Sequence, residues 1–159
     1  MALVHRLVTP EPAPAFGLQA AGRLMIKVLA PWVQDLSLLV ESVESARPPG
    51  ASPDWQPGAI LRLPYSKKIC NDGHVVCSQA LMALADTAMV IACSAAWNGY
   101  RPMSAIDQST HFLRPVSFDV VADARVVRIG SNTSFARVTI LSATDKRPVG
   151  MVASAYSMQ

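Results

Sequence analysis

Apolar and small residues fill positions 78–96 almost without interruption, and beyond them the pattern changes to short strand-like segments. Because both faces of this run are apolar at helical spacing, it predicts a helix that is buried on all sides. Four segments rich in Val, Ile, Thr and aromatic residues predict strands over 104–112, 116–129, 134–143 and 149–156. A further strand is predicted over 59–63 and a turn over 71–73. This order predicts an α+β domain in which a curled antiparallel sheet wraps around one long central helix.

The first third of the chain has a different pattern. Three prolines among residues 1–15 predict an extended arm, and apolar residues at helical spacing over 16–29 predict a helix that Pro31 ends or kinks. Asp35 is placed to cap a second short helix that runs through Val43.

A linker or tight loop is predicted over 47–53, where three prolines and a glycine occur. We therefore divide the chain into an N-terminal arm and helical extension, residues 1–53, and a main domain, residues 54–159. The sequence leaves open whether the extension packs on the core, covers a pocket or joins an interface.

Composition narrows the class of protein. Apolar residues make up 51% of the chain and charged residues 16%, which excludes a disordered chain. The net charge of +3 is scattered, with Lys67 and Lys68 the nearest approach to a basic cluster, so we expect no nucleic-acid partner. Three cysteines without a C-x-x-C spacing, and an N-terminus without a continuous apolar stretch, predict a reduced, cytoplasmic protein without a secretory signal.

The segment 75–97 is long enough to span a bilayer, and Asp86 is its only charge. A carboxylate at the centre of a bilayer costs about 2.5–3.5 kcal/mol, and the segment also contains Ser78, Gln79 and Thr87. A helix buried in a globular domain explains the pattern better, and we predict no membrane span.

Asp86 is the only acid or base between His74 and Arg101, apart from cysteines, and it lies in the predicted buried helix. A carboxylate in such surroundings must be paired, protonated or open to a cavity. One hypothesis is a structural role, with the carboxylate held by backbone amides or an arginine. The other is a general base or nucleophile in an apolar pocket.

The residues around Asp86 resemble a known family. The run from Asn71 to Met89, which contains Leu-Ala-Asp86-Thr-Ala, is similar to the central-helix motif of PaaI-like thioesterases in the hotdog-fold superfamily. His111-Phe-Leu-Arg-Pro resembles the strand end of that family, and Arg125-Val-Val-Arg-Ile-Gly the segment before its hairpin. The resemblance covers residues 57–158 approximately and implies the hotdog fold, with an N-terminal helical extension outside it.

The resemblance also implies a chemistry. In such enzymes the acid of the central helix activates water against an acyl-CoA thioester, or attacks it directly. A backbone N–H at the start of that helix polarises the thioester carbonyl, since helix-start amides lack an intrahelical partner and carry positive potential. By position, Asp86 matches the acid, Asn71 matches an asparagine that helps to place the water, and Ser78 supplies the N–H.

The chain departs from the family pattern at the start of the helix. Cys77, Ser78 and Gln79 stand where the family has His-Gly-Gly. Ser78 keeps its N–H, whereas Gln79 adds bulk near the carbonyl site. A Ser or Thr that many members carry on the next strand is replaced by Ala105, with Ser104 beside it. The candidate substrate-binding residues are accordingly Cys77, Gln79, Met82 and Ser104.

The sequence therefore predicts an acyl-CoA thioesterase for a medium-chain or aromatic acyl group. It is expected to act without metal or cofactor, as a homodimer or homotetramer with sites at a subunit interface. A hotdog protein that binds acyl-CoA or a related lipid without hydrolysis is the alternative, and a hydratase or dehydratase is a more distant third. Two further hypotheses are weaker: Cys77 as a nucleophile beside His74, and a metal site of Cys70, His74 and Cys77 without a fourth ligand.

Overall fold

A six-stranded antiparallel sheet encloses one long helix in the computed structural model, which describes residues 14–159. The strand order across the sheet is β1-β2-β4-β5-β6-β3. The elements are α1 (Leu18–Val28), α2 (Pro31–Gln34), β1 (Leu39–Glu44), β2 (Gly58–Leu63), a 3-10 helix (Lys67–Ile69), α3 (Ser78–Ala96), β3 (Met103–Phe112), β4 (Val120–Ile129), β5 (Thr133–Ser142) and β6 (Pro148–Met158).

The long helix α3 is the centre of the hydrophobic core. Twelve of its nineteen residues are buried, and it packs chiefly against β2, β4 and β5. Many of the buried positions are alanines, which let the strands approach the helix closely. The helix has the length and hydropathy of a membrane span, but 67% of that window is buried inside the chain. The predicted hotdog architecture is confirmed, but the helix is not buried on all sides. Gln79 and Met82 are exposed and Asp86 is half-buried, so one stripe of α3 remains open.

The predicted strands are confirmed, with one shift of boundary. On β5 the buried residues Ala136, Val138 and Ile140 alternate with Phe135 and Arg137, which are exposed, as the period-two pattern predicts.

The shifted boundary is that of β4, which begins at Val120 and not at 116. Pro115 has no N–H for a strand ladder, and the carbonyl of Val116 accepts the Val76 N–H at 2.9 Å. This bond ties the loop before α3 to the segment that connects β3 with β4.

The helix predicted through Val43 is wrong, because residues Leu39–Glu44 form strand β1. The short helix α2 starts at Pro31 and Asp35 follows its last residue, so Asp35 is not an N-cap. Ser37 then takes a left-handed conformation with φ of 55°, and the chain reverses into antiparallel pairing with β2. Pairing with the edge of β2 therefore outweighs the helical preference of the residues up to Val43. The predicted arm, residues 1–15, lies almost wholly outside the described residues.

Two arginines join β1 to other strands of the sheet through ion pairs. Arg125 of β4 binds both carboxylate oxygens of Glu44, at 2.5 and 3.0 Å, and Arg62 of β2 pairs with Glu41. The Arg125 hydrogen bond holds the pKa of the Glu44 carboxyl below its ordinary value. Residues from the predicted N-terminal extension thus complete one edge of the sheet.

Close contact between β2 and β4 gives a stability prediction at Gly58. A Cβ at this position would stand 2.2 Å from the carbonyl oxygen of Ala124, too close without movement of backbone. We expect Gly58→Ala to lower the free energy of unfolding by about 1–3 kcal/mol, measured by chemical denaturation. Gly22→Ala is the matched control, since it lies in α1 with open space around it and is expected to stabilise by about 0.5–1 kcal/mol. A Gly58→Ala protein as stable as the wild type would contradict this prediction.

Candidate active site

A cavity of about 520 Å³ lies between α3, the corner of α1 and α2, and β3. We call it the Asp86 cavity. Its polar lining residues are Gln79, Asp86, Thr87, Tyr100 and Gln108. Its apolar lining residues are Val28, Leu29, Ala30, Trp32, Val33, Met82, Ala83, Val90 and Met103. Of the fourteen, Asp86 is the one that carries a charge, so the cavity is an apolar space with a single carboxylate in its wall.

Asp86 is half-buried, and one of its oxygens, Oδ1, accepts a hydrogen bond from the hydroxyl of Tyr156 on β6. Within residues 14–159, no Lys, Arg or His nitrogen lies within 4.0 Å of the carboxylate and no backbone N–H donates to it. The structural hypothesis of an aspartate held by an arginine or by backbone amides therefore does not describe this site. The second oxygen, Oδ2, has no hydrogen-bond partner in the described part of the chain.

Sequence reasoning missed Tyr156 as a site residue. Its ring is almost completely buried, with 2% exposure, and burial raises the pKa of its hydroxyl, with a further contribution from the negative charge of Asp86. The hydroxyl therefore stays protonated and acts as a donor. The sequence offered one signal. A tyrosine in a predicted strand buries its ring in the core, and its hydroxyl then needs a hydrogen-bond partner there.

Gln108 of β3 was also missed. It lines the Asp86 cavity, and its Nε2 is buried without a hydrogen-bond partner. In the sequence it is one polar residue in an ordinary strand pattern, so nothing distinguished it.

The N-terminal end of α3 carries free backbone donors. Ser78 is the first helical residue, with Cys77 as N-cap, and no side chain in the described part of the chain caps this end. Among the described residues the N–H groups of Ser78 and Gln79 have no backbone acceptor, while the Cys77 N–H donates to the Ile69 carbonyl at 2.8 Å. Such an end attracts a developing negative charge on a carbonyl oxygen.

The side chain of Asn71 accepts hydrogen bonds within its own loop. Its side-chain oxygen Oδ1 accepts the N–H groups of Gly73 and Val75, at 3.1 and 3.3 Å. Together with Ser78 it lines a second, more open recess of about 460 Å³, which includes Phe112 and Arg114. We call this the loop recess.

The predicted site residues thus fall into two groups within one chain. Asp86, Gln79 and Met82 line the Asp86 cavity, whereas Asn71 and Ser78 line the loop recess. Asp86 follows Ser78 by eight residues, which corresponds to about 12 Å along the helix axis.

Cys77 and Ser104 line neither space. Cys77 makes no hydrogen bond to the His74 side chain in the described residues, where His74 is exposed. No group of three or more His, Cys, Asp or Glu side chains gathers anywhere in the described part of the chain.

Residues 80–149 match the family model of the thioesterase superfamily. A curated protein of Halobacterium salinarum, whose name marks it provisionally as an esterase, is 35% identical over 92 residues. That alignment covers 54% of this chain and 60% of the relative, so the chain spans about three fifths of that protein's length.

Solved structures share the fold over most of both chains. A Pseudomonas aeruginosa protein has a TM-score of 0.72 at 25% identity, covering 89% of this chain and 98% of its own. The PaaI protein from the phenylacetic acid degradation operon of Escherichia coli has a TM-score of 0.71 at 18% identity, covering 89% and 93%. A thioesterase from Haemophilus influenzae has a TM-score of 0.72 at 18% identity, covering 92% of each. The hotdog fold is confirmed, and the resemblance to the thioesterase superfamily is confirmed over residues 80–149.

The hydrogen bonding of Asp86 gives a stability prediction. An asparagine keeps an oxygen that accepts the Tyr156 hydroxyl, and no cation loses a partner, so we expect Asp86→Asn to change the free energy of unfolding by less than about 1 kcal/mol. Asp86→Ala removes the acceptor and is expected to cost about 1–3 kcal/mol, because the Tyr156 hydroxyl is left buried and unpaired. Thermal and chemical unfolding measure both. A loss of about 3–5 kcal/mol in Asp86→Asn would indicate a buried ion pair instead.

Proposed function

We propose that the chain, whose residues 80–149 match the thioesterase superfamily, hydrolyses the thioester of a medium-chain or aromatic acyl-CoA. The observation that carries this proposal is the carboxylate of Asp86 in the wall of an apolar cavity. Within residues 14–159 it is the one charged group of the lining, Tyr156 holds one of its oxygens, and the other has no partner. An acyl group occupies the apolar space, and the free oxygen faces its thioester.

The Asp86 cavity has the size and character of an acyl pocket. Its volume lies in the ordinary range for small-molecule sites, and most of its lining is apolar. Met82 and Met103 have flexible side chains that adapt to different ligand shapes, and Trp32 and Tyr100 offer aromatic surfaces. These properties suit either an aliphatic chain of medium length or an aromatic ring.

Asp86 acts as a general base in this mechanism. Its carboxylate takes a proton from a water molecule as the water oxygen bonds to the thioester carbon. The resulting oxyanion is stabilised by the backbone N–H of Ser78, which has no other backbone acceptor. When the C–S bond breaks, the sulfur of CoA takes the proton from Asp86, leaving a carboxylic acid and free CoA. Direct attack by Asp86 would instead form an anhydride and release the CoA thiolate. If water then attacks the aspartyl carbon of the anhydride, single turnover in ¹⁸O-water labels the Asp86 carboxylate, which the general-base route never does.

Two copies of the chain are needed to complete this site. Asp86 and the Ser78 N–H of one helix are about 12 Å apart along the axis, too far to contact one thioester group. Two α3 helices packed antiparallel bring the acid of one protomer to the helix start of its partner. Within the described part of the chain, β3 pairs with β6 alone and exposes Ile106 and Phe112. This open edge supports such a homodimer, alone or within a tetramer.

A binding protein without turnover is the second candidate. Gln79 stands where the family has glycine and lines the same cavity as Asp86. Its bulk limits the approach of a thioester to the helix start, which favours binding over hydrolysis. Tight binding of acyl-CoA without release of free thiol would identify this function.

Subunit mixing tests the hydrolase and its composite site together. We expect Asp86→Asn to lower kcat by about 10² or more and Ser78→Pro by about 10²–10³, since proline lacks the N–H. Proline is tolerated at the first helical position, and Cys77 already has the extended conformation (φ −69°, ψ 151°) that suits a residue before proline. Mixed dimers of the two variants, purified through two different tags, are expected to recover about half of the wild-type activity, because one of their two sites is intact.

The reciprocal pairing is the control. Wild-type chains paired with chains that carry both substitutions are expected to be almost inactive, because each composite site then contains one altered residue. Release of free CoA from a panel of acyl-CoA and aryl-CoA thioesters, followed with a thiol reagent, measures all combinations. If the reciprocal dimers were half-active and the first set inactive, each site would lie within one chain. Wild-type turnover by Asp86→Asn would overturn the mechanism.

The N-terminal segment gives a specificity prediction. Trp32 of α2 is 58% exposed and lines the Asp86 cavity, so Trp32→Ala enlarges the cavity. We expect kcat/KM for longer acyl chains to rise up to about fourfold for each additional methylene buried, because burying one methylene is worth about 0.8 kcal/mol. Ile26→Ala removes an exposed apolar side chain of α1 outside this cavity and serves as the control, with an unchanged chain-length profile. An unchanged profile in Trp32→Ala would exclude α2 from the acyl pocket.

A further inference from the structure

Among the described residues, one side chain, Tyr156, donates a hydrogen bond to the carboxylate of Asp86. Tyr156 lies on β6, opposite Ala105 of β3 and Ser134 of β5, and its ring is part of the hydrophobic core. Its hydroxyl donates to Asp86 Oδ1, but Tyr156 is not among the residues that line the Asp86 cavity. The contact therefore reaches Asp86 from the core side, while the cavity lies on the other.

This contact distinguishes the two oxygens of Asp86. A carboxylate without partners rotates about its last bond and exchanges its oxygens. A hydrogen bond from a donor fixed in the core holds Oδ1 in place and thereby sets the plane of the group. Burial raises the pKa of the Tyr156 hydroxyl, so this group remains a donor. Oδ2 is then the oxygen presented to the cavity.

We propose that Tyr156 is a positioning residue, which holds Oδ1 of Asp86 so that Oδ2 alone faces the thioester and the attacking water. The inference rests on the proposed hydrolase function, because Tyr156 acts through Asp86 and touches no substrate. Tyr156 is held rigidly because its strand, β6, is paired on both sides, with β5 and with β3. The hydrogen bond crosses from this strand to the middle of α3 and joins residues 70 positions apart.

Tyr156→Phe removes the hydroxyl and keeps the ring in the core. We expect kcat to fall by about 10- to 100-fold with little change in KM, because a misplacement of about 1 Å at a reacting group can cost about 10² in rate. In an Asp86→Asn background the same substitution is expected to cause no further loss, since the group that it positions is no longer active. Independent losses that multiply in the double variant would overturn the proposal.

Ser94→Ala is the matched control for loss of a buried hydroxyl. Ser94 lies on the same helix as Asp86, is fully buried and donates to the Val90 carbonyl at 2.8 Å, without contact to Asp86. It is expected to lower stability while leaving kcat unchanged. If Tyr156→Phe lowers only the melting temperature, as Ser94→Ala does, Tyr156 has a structural role and the proposal fails.

A second measurement keeps the proposal testable if Tyr156→Phe does not fold. The chain has three tyrosines, so 3-fluorotyrosine incorporated into a Tyr65→Phe/Tyr100→Phe protein labels Tyr156 alone. We expect its ¹⁹F resonance to move in Asp86→Ala, which has no acceptor for the hydroxyl. An unmoved resonance would mean that the contact is absent in solution and would overturn the proposal. If wild-type protein hydrolyses no thioester while the resonance moves, the proposed function fails and the contact stands as a feature of the fold alone.

Discussion

The burial of α3 is the constraint on which the rest of the structure depends. A helix without a polar face has to be enclosed, and a flat sheet covers only one side of it. The strands therefore wrap around the helix, and the alanines along α3 allow their close approach. Within this enclosure, a single ionisable carboxylate has no access to water except through a cavity. The strands leave one stripe of α3 uncovered at the Asp86 cavity, and Asp86 lies on that stripe. The fold therefore determines where the carboxylate meets water.

The enclosure also explains why the acid is held by a tyrosine and not by a cation. An arginine or lysine on the inner face of the sheet would bring a second charge into the core, at considerable desolvation cost. A phenol adds a donor without a net charge, and its ring contributes apolar surface to the same core. Among residues 14–159, the carboxylate of Asp86 accordingly has no ion-pair partner.

Much of the fold follows from the sequence, and the exceptions have physical causes. The bounds of α3 are evident from an uninterrupted apolar run, and the strands from 103 to 158 from their alternation and turns. Strand β1 was mistaken for a helix because its structure depends on the free edge of β2, fourteen residues further along the chain, and not on its own residues. The contact of Tyr156 with Asp86 joins two positions 70 residues apart. The motif around Asn71 and Asp86 predicts residue types in a site, but it does not show that the two residues line different spaces within one chain.

The two edges of the sheet are unequal. The outer edge at β1 is short and irregular, with α1 packed against that strand. At the other edge, β3 offers ten residues of backbone that, among the described strands, pair on one side only. In the proposed homodimer, antiparallel pairing of two β3 edges would use the open edge of both molecules. Because β3 would then have no free side, further chains could not add to the sheet at that edge. The dimer would thus confine a strand that invites open-ended addition to a single pairing.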